Sequence, residues 1–421
     1  MDRRHFLAAL PAAGLAPALT RAQLGAAAFV PPDQTTGLLQ SPPVVQHLTA
    51  AGFTVSIRVG RLATAWVEWG TDPAKLDHKA VSSRGGLVDA GATSLTVPVV
   101  FPEPQPGGAI VHYRVCVQPL AYANAYKLTR GETETTGVRA LRIPDPAAAS
   151  VRVAIVNDTH ENKETLAKLP GRIDAAAPHL LVWNGDTCND FDAKDDPAAI
   201  LLTPGAAADH PSNGGWASSR PLWFVAGNHD VRGERAREVM DILAPGPVPG
   251  LPWNFAFRDG PLALIGLDTG EDKPDAHPVF AGTAAYEPYR ERQAVWLKEA
   301  LARPEIASAP FKVVVCHIPL RGGKNDNPGT TIDGYAEFSG FGAKHWFPLL
   351  REAGVRMIVS GHTHDWRIDD PSEAQPFYQV VGGGPQPARA TLTVIDVTAE
   401  QLSVRIEDLA GKKLDGREIK I

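Results

Sequence analysis

The sequence predicts an α/β protein with a layered β-sandwich core flanked by helices, preceded by a smaller all-β sandwich. Two observations indicate this fold class. Before residue 145, apolar and polar residues alternate with a period of two, which is typical of strands with one buried face. After residue 150, short apolar runs alternate with helical stretches, which is the pattern of a layered α/β domain. A chain of 421 residues is long enough for two or three domains.

The composition is that of a globular protein with a modest acidic excess. Hydrophobic residues make up 44% of the chain, charged residues 21%, and the net charge is −6. Removal of residues 1–22 would take away one acidic and three basic residues and leave a charge of −8. This acidity argues against binding to nucleic acids or anionic membranes. It does not exclude small phosphate esters, because a local pair of metal ions can outweigh the global charge.

The first residues resemble an export signal. Arg3 and Arg4 precede an apolar segment, residues 6–19, that is too short to span a bilayer and contains two prolines. The run Arg-Arg-His-Phe-Leu resembles a twin-arginine signal of bacterial export. We therefore expect residues 1–28 to be a signal peptide read by the twin-arginine export machinery, and the mature protein to be periplasmic or secreted. The alternative is a first helix of the mature protein, against which the prolines argue.

Residues 36–145 predict a β-sandwich of about seven strands, similar to a fibronectin type III domain. In residues 53–59 the apolar side chains alternate with polar ones, and residues 111–117 repeat the pattern. Two further strands are expected at 64–69 and 95–101, and turn residues separate the candidates. Since no metal-like cluster occurs here, we expect the module to be structural or to form a wall beside a functional site.

Residues 150–421 predict the α/β core. Helices are expected at 290–301 and 344–353, where apolar residues recur with helical spacing. Residues 187–220 form a long polar insertion that is predicted to be a loop. Alternation returns in residues 391–421, which we interpret as closing strands of the same domain.

Five apolar runs of the core each end in residues that can bind a metal ion. In α/β sheets, ligands bind beyond the carboxyl ends of the strands. The residues that follow these apolar runs are therefore expected to place their side chains in one crevice. The glycines in these motifs are expected to let the backbone turn tightly before each ligand. Carboxylate, imidazole and amide oxygen suit Mn, Fe, Zn or Co. In chain order the motifs are Asp158-Thr159-His160, Asn184-Gly185-Asp186, Gly227-Asn228-His229-Asp230, His317-Ile318-Pro319 and Gly361-His362-Thr363-His364.

The order of these motifs resembles the calcineurin-like metallophosphoesterase family, with its D-x-H, G-D, G-N-H-D, H-x-P and G-H-x-H elements. The resemblance covers roughly residues 150–390. It implies a metal-dependent phosphoric ester hydrolase with two divalent or mixed-valence metal ions, in which a metal-bridging hydroxide attacks a small phosphate ester. The implied metal ligands are Asp158, His160 and His364 for the first ion, Asn228, His317 and His362 for the second, and Asp186 as the bridge.

The resemblance also implies catalytic roles beside the metals. His229 would face the substrate and either donate a proton to the leaving oxygen or stabilise its charge. For Asp230 two interpretations stay open: it orients the imidazole of His229, or it is a structural loop residue. Arg321 either reaches a substrate phosphate or is a solvated surface residue.

The motifs are compatible with more than one function. A phosphomonoesterase resembling acid phosphatases is favoured, and a phosphodiesterase of cyclic nucleotides or glycerophosphodiesters is the alternative. A non-catalytic binding protein on the same scaffold is disfavoured, because no ligand of the family pattern is missing.

The domain order is similar to that of purple acid phosphatases, with one informative departure. Those enzymes have a D-x-G first motif and a tyrosine ligand three residues after the bridging aspartate. Here the first motif ends in His160, and Asn189 stands at the tyrosine position. Because a phenolate favours ferric iron and causes the purple colour, imidazole in its place predicts a colourless protein outside the purple class.

Overall fold

The computed structural model describes residues 37–204, 215–321 and 337–421, so the predicted signal peptide lies outside the described residues. The strands before residue 145 are β1 (Val44–Thr49), β2 (Gly52–Arg58), β3 (Ala63–Gly70), β4 (His78–Val81), β5 (Ser83–Arg84), β6 (Leu87–Val88), β7 (Ala90–Gly91), β8 (Ser94–Val100), β9 (Ile110–Asn124), β10 (Lys127–Arg130), β11 (Glu134–Thr135) and β12 (Arg139–Arg142). The strands after residue 145 are β13 (Ser150–Val156), β14 (Leu180–Asn184), β15 (Leu222–Val225), β16 (Phe255–Asp259), β17 (Leu262–Gly266), β18 (Phe311–Val315), β19 (Met357–Ser360), β20 (Arg367–Asp369), β21 (Tyr378–Val381), β22 (Thr391–Thr398), β23 (Gln401–Asp408) and β24 (Lys413–Lys420). The helices are α1 (Lys163–Ala176), α2 (Pro197–Leu202), α3 (Val239–Ile242), α4 (Tyr286–Ala302), α5 (Pro304–Ala307) and α6 (Glu337–Glu352).

The amino-terminal strands form a β-sandwich. Strands β1, β2 and β8 lie in one sheet, and β3, β4, β9 and β10 lie in the other. The residues that alternate in the sequence point into the space between the sheets, where Val55, Val67 and Val115 are buried together. The strand predicted at 53–59 is confirmed as β2, which ends one residue earlier, and the strand predicted at 111–117 is confirmed as part of β9.

One sheet of this sandwich continues into the core. Its nine strands run in the order β24-β23-β22-β13-β14-β15-β1-β2-β8. Strand β1 pairs in parallel with β15, with Gln46 opposite Leu222. A buried hydrogen bond of 2.7 Å from the hydroxyl of Tyr113 to the carbonyl of Ser218 also joins the two parts. The boundary predicted between residues 145 and 150 is therefore crossed by a shared sheet.

The core has four layers, in the order helix, sheet, sheet, helix. The second sheet runs β16-β17-β18-β19-β21-β20. Apolar residues such as Val153 and Leu264 fill the space between the two sheets, while α1 covers the outer face of the first and α4 and α6 that of the second. Parallel strands buried on both faces need apolar residues at every position, which explains the continuous apolar runs. The predicted layered α/β class is confirmed.

The polar insertion differs from its prediction as a loop. Within it, α2 begins after Asp196, whose carboxylate accepts a hydrogen bond of 3.1 Å from the backbone N–H of Ala199. Phe191 and Leu201 are fully buried in the core. The helix is six residues long, too short to show a clear apolar period in sequence. Over the described ranges, no helix is long and apolar enough to cross a membrane.

Candidate metal centre

The five motif-bearing strands end at one place, between the two core sheets. Strands β13, β14 and β15 run parallel in the first sheet, and β18 and β19 run parallel in the second. The side-chain amide of Asn184 donates to the carbonyls of Cys316 (3.2 Å) and Val359 (3.3 Å), which joins the end of β14 to the ends of β18 and β19. The crevice is therefore built by two facing sheets, whereas the sequence predicted only a common crevice.

The backbone of the motif loops is strained where the ligands lie. Left-handed φ angles at non-glycine residues cost on the order of 1–3 kcal/mol each, less for Asp and His than for branched residues, and they concentrate at functional sites. These conformations occur in the loops that follow β13, β14 and β19. The residues concerned are Asp158 (φ 48°), His160 (41°), Glu161 (55°), Asp186 (53°), His362 (70°) and His364 (56°).

Two motif glycines allow a close approach of a ligand to the backbone. A Cβ atom at Gly227 would overlap Oδ1 of Asp186, and one at Gly361 would overlap Oδ2 of Asp158. The expectation of a tight turn holds at Gly185, which has a φ of 80°. At the other two positions the requirement is space for a carboxylate.

The first predicted set of ligands converges. The ligand atoms of Asp158, His160, Asp186 and His364 all lie within 4.8 Å of one another. Nε2 of His160 is 3.0 Å from Nε2 of His364 and 3.4 Å from Oδ2 of Asp186. Oδ1 of Asp158 is buried and has no hydrogen-bond partner among the described residues. Because a buried carboxylate oxygen without a donor is costly, these atoms fit a cation between them.

The second set converges beside the first and shares Asp186. Nε2 of His317 is 3.1 Å from Oδ2 of Asp186, and Nδ1 of His362 is 2.8 Å from Oδ1 of Asn228. Nδ1 of His317 donates to the carbonyl of Asn184 at 2.8 Å, so Nε2 is the nitrogen that faces Asp186 and that would bind a metal ion in its deprotonated form. The seven residues therefore fit two adjacent metal ions bridged by one carboxylate.

Two asparagines orient the ligands of the first set. The amide of Asn157 donates to Oδ2 of Asp158 (2.5 Å) and to the carbonyl of Gly383 (2.9 Å). Oδ1 of Asn189 accepts from Nδ1 of His160 at 3.1 Å, which leaves Nε2 of that histidine free to bind a metal. Asn189 stands where purple acid phosphatases have their tyrosine ligand. Here it orients the imidazole of a ligand and is not a member of the ligand set itself. Neither contact was predicted from the sequence, because an asparagine near a ligand in the chain does not by itself indicate a hydrogen bond to that ligand.

The electrostatics of the centre favour positive charge. Burial opposes charge on His317, but the carboxylates of Asp186 and Asp158 outweigh it and raise the pKa of His317 to about 10. The same balance raises the pKa of His160 to about 9. Burial opposes ionisation of Asp158 as well, yet the charge of His317 and the nearby imidazoles of His160 and His364 lower its pKa to about 2. Carboxylates that hold cationic neighbours so strongly are suited to divalent ions.

His229 lies against the centre without belonging to either set. Its ring is perpendicular to that of His160, with the ring centroids 4.8 Å apart. Its backbone N–H donates to Oδ1 of Asp186 at 2.9 Å, and its Nδ1 donates to the carbonyl of Asn189 at 2.5 Å. Its Nε2 is 3.2 Å from Nη1 of Arg232, a residue that the sequence did not single out.

The contacts of Asp230 favour its structural interpretation. Its buried carboxylate accepts from the backbone N–H groups of Gly227 (2.7 Å), Asp186 (2.8 Å) and Thr187 (3.0 Å) and from the Thr187 hydroxyl (2.5 Å). These hydrogen bonds all go to the loops of Gly227, Asp186 and Thr187, whereas the imidazole of His229 is held by the carbonyl of Asn189. Asp230 therefore holds two ligand loops together, which favours the structural one of the two interpretations that the sequence left open.

Comparisons with known proteins agree with this geometry. Residues 151–366 match the family model described as calcineurin-like phosphoesterase. No curated protein sequence matches the chain. Among solved structures, a purple acid phosphatase from yellow lupin (Lupinus luteus) seeds is similar over 90% of this chain and 74% of its own, with a TM-score of 0.61 and 12% identity. A structure of PhoD is similar over 91% of this chain and 94% of its own, with a TM-score of 0.58 and 11% identity. These likenesses extend the shared fold to the amino-terminal β module.

Proposed function

The chain belongs to the calcineurin-like phosphoesterase family and is a metal-dependent phosphoester hydrolase, and we propose that it is an exported phosphomonoesterase. The observation that supports phosphoester chemistry is the pair of ligand sets that share Asp186, with the imidazole of His229 beside them. Two divalent ions held there would activate a water molecule and neutralise the phosphoryl oxygens.

Each protein group has a defined task in this proposal. Asp158, His160 and His364 would hold one ion, Asn228, His317 and His362 the other, and Asp186 both. The buried hydrogen bonds of Asn157, Asn184 and Asp230 keep these side chains in place before substrate arrives, so little reorganisation is needed during the reaction. His229 and Arg232 face the position of the substrate from the more exposed side.

The charge of the centre supports a monoester as the preferred substrate. Asp158 and Asp186 are the two carboxylates among the metal-binding residues, so two divalent ions would leave the centre positive. A phosphomonoester dianion carries more negative charge than a diester and gains more from such a site. Phosphodiesters, including cyclic nucleotides and glycerophosphodiesters, are the alternative substrates. A comparison of turnover rates on a monoester and a diester distinguishes the two classes.

The experiment compares a chromogenic phosphomonoester with the matching diester, with Mn, Fe, Zn and Co added in turn to the purified mature protein. We expect faster turnover of the monoester and a large loss of kcat in Asp186→Asn and His229→Ala. His78→Ala, at an exposed histidine of β4, is the matched control and should retain the wild-type rate. Undiminished turnover in Asp186→Asn would refute the two-metal mechanism. Faster turnover of the diester would assign the alternative activity, and phosphate binding without turnover would favour a binding protein.

Export is proposed from the sequence. Arg3 and Arg4 followed by a short apolar segment support recognition by the twin-arginine machinery, and a periplasmic or secreted protein. Replacement of both arginines by lysine should abolish export, as measured by the partition of the protein between cytoplasmic and periplasmic fractions. Unchanged export of that variant would contradict the proposal.

A further inference from the structure

A cavity of about 180 Å³ borders the loop that follows β15. Ala226, Asp230 and Val231 of this loop line the cavity, whereas Asn228 and His229 contact residues of the metal centre. The cavity is therefore separate from the metal centre, although one loop borders both. The remaining walls come from the segment around α3, from the chain before β16 and from the start of α4. They are formed by Ala236, Arg237, Val239, Met240, Trp253 and Tyr286.

The walls of the cavity are largely apolar, and part of them is buried in the core. Val239 and Trp253 are only 2% and 5% exposed, and the ring of Trp253 lies perpendicular to that of Phe224, with the centroids 4.9 Å apart. This packing holds the indole in place as a flat surface for an aromatic ring. Because an apolar cavity of roughly 150 Å³ holds one benzene ring, the present volume suits a single aromatic ring with one small substituent.

Asp230 lines the cavity but does not direct its charge into it. The two carboxylate oxygens accept hydrogen bonds from the backbone N–H groups of Gly227, Asp186 and Thr187 and from the hydroxyl of Thr187. The negative charge of Asp230 is therefore used by the loops of the metal centre, and the groups that donate to it partly compensate it. An anion can occupy the cavity without facing these oxygens.

Arg237 borders the same cavity with an exposed guanidinium. Within the described ranges, its side chain forms no hydrogen bond or ion pair. Arg235, two residues earlier, instead pairs with Glu238 at 2.8 Å. A guanidinium binds a carboxylate through two parallel hydrogen bonds. Arg237 beside apolar walls therefore complements a molecule that has an aromatic ring at one end and a carboxylate at the other.

We propose that this cavity binds a small aromatic carboxylate, with its ring against Trp253 and Val239 and its carboxylate on the guanidinium of Arg237. The binding involves no covalent step and requires neither the metal ions nor phosphoester hydrolysis. The cavity is a second ligand site, distinct from the metal centre and joined to it by the loop between Ala226 and Val231.

The methionines of the chain allow a direct test with benzoate. They are Met1, Met240 and Met357; Met240 lines the cavity, whereas Met357 is fully buried between the core sheets. In metal-loaded protein labelled with ¹³C at the methionine methyl groups, benzoate should shift the NMR signal of Met240, with a Kd of about 1 mM, and leave that of Met357 unchanged. Benzamide, which has the ring without the charge, and acetate, which has the charge without the ring, should each bind about tenfold more weakly or less well still.

Two variants test the two halves of the site. Arg237→Gln should weaken benzoate binding about tenfold, and Ala236→Leu, which places a larger side chain in the cavity, should remove the shift of Met240. Arg235→Gln is the matched control, because it removes a guanidinium of the same segment that does not line the cavity, and it should bind benzoate like the wild type. Thermal melts show whether each variant folds.

The proposal has clear contrary outcomes. An unmoved Met240 signal, equal affinities for benzoate and benzamide, or an unchanged Kd in Arg237→Gln would overturn it. Displacement of benzoate by inorganic phosphate would place the benzoate at the metal ions and would overturn it as well. Since binding is read from the methyl signals and not from turnover, any of these results leaves the proposed phosphatase activity to its own assay.

Discussion

The structural role of Asp230 predicts that Asp230→Asn destabilises the protein more than it slows chemistry. Oδ2 of Asp230 accepts from Gly227 and Asp186, and Oδ1 accepts from the backbone and the hydroxyl of Thr187. An asparagine has one acceptor oxygen, so its NH₂ group must face one of these two pairs of donors. Two buried donors lose their acceptor if the NH₂ group faces Gly227 and Asp186, and one does if it faces Thr187, whose hydroxyl can turn to accept.

The magnitude follows from these contacts. Each buried donor left without an acceptor costs about 1–3 kcal/mol, so two cost about 4 kcal/mol. Burial, together with the charge of Asp186, raises the pKa of Asp230, which means that removing its charge offsets part of this cost. A net loss of less than about 4 kcal/mol in the free energy of unfolding is therefore expected.

The assay is equilibrium unfolding in urea, followed by kinetics at saturating metal. Thr187→Val is the matched control, because it removes one hydroxyl donor and keeps the carboxylate, and it should cost about 1 kcal/mol. The kcat of Asp230→Asn should stay within about tenfold of wild type, well above that of His229→Ala. An unchanged urea midpoint of Asp230→Asn, combined with a kcat as low as that of His229→Ala, would refute this reasoning. That result would support the alternative interpretation, in which Asp230 orients the imidazole of His229.

Three further predictions concern the surroundings of the centre. Asn189→Ala removes the acceptor for Nδ1 of His160 and should weaken metal binding roughly 10–100-fold, measured by competition with a chromophoric chelator; unchanged affinity would show that His160 needs no orientation. Burial raises the pKa of Asp268 to about 6 from an unfolded value of 3.8, so its contribution of about 3 kcal/mol is present below pH 3.8 and is lost as pH rises through about 6. The stability of Asp268→Asn should therefore vary less than that of wild type between these pH values, and identical urea midpoint profiles would contradict the assignment. The metal-loaded protein should be colourless, because Asn189 replaces the purple-class tyrosine; a strong visible charge-transfer band would show a phenolate ligand from elsewhere.

The metal ligands were predictable because each lies in a short local pattern. An apolar run followed at once by Asp158 or His317 is visible within ten residues of sequence. The strand that precedes each motif determines which end of the sheet the ligand occupies, so the five motifs needed no knowledge of their mutual distances. The structure confirms that the ligand atoms converge, with Asp186 in both sets.

The roles of Asp230 and Arg232 were not predictable in this way. Asp230 follows His229 in sequence, which left open whether it orients that imidazole or supports the loop, and its carboxylate is used by the loop that contains Asp186 and Thr187. Arg232 is one of many charged loop residues, and its guanidinium is held by the carboxylates of Glu271 and Asp272, 39 and 40 residues later. Hydrogen bonds between distant segments leave no periodic trace in the sequence.

The sequence by itself determined the fold class, the strands that carry the five motifs, two helices of the core and seven candidate metal ligands, because periodicity and motif order are local properties. Only the tertiary structure decided that β1 pairs with β15, so that one sheet serves both the amino-terminal module and the core. Only the tertiary structure decided which polar residues beside the ligands hold loops, orient imidazoles or face substrate. The physical reason is that these roles depend on which buried donor meets which acceptor, and that pairing is set by packing between segments far apart in the chain.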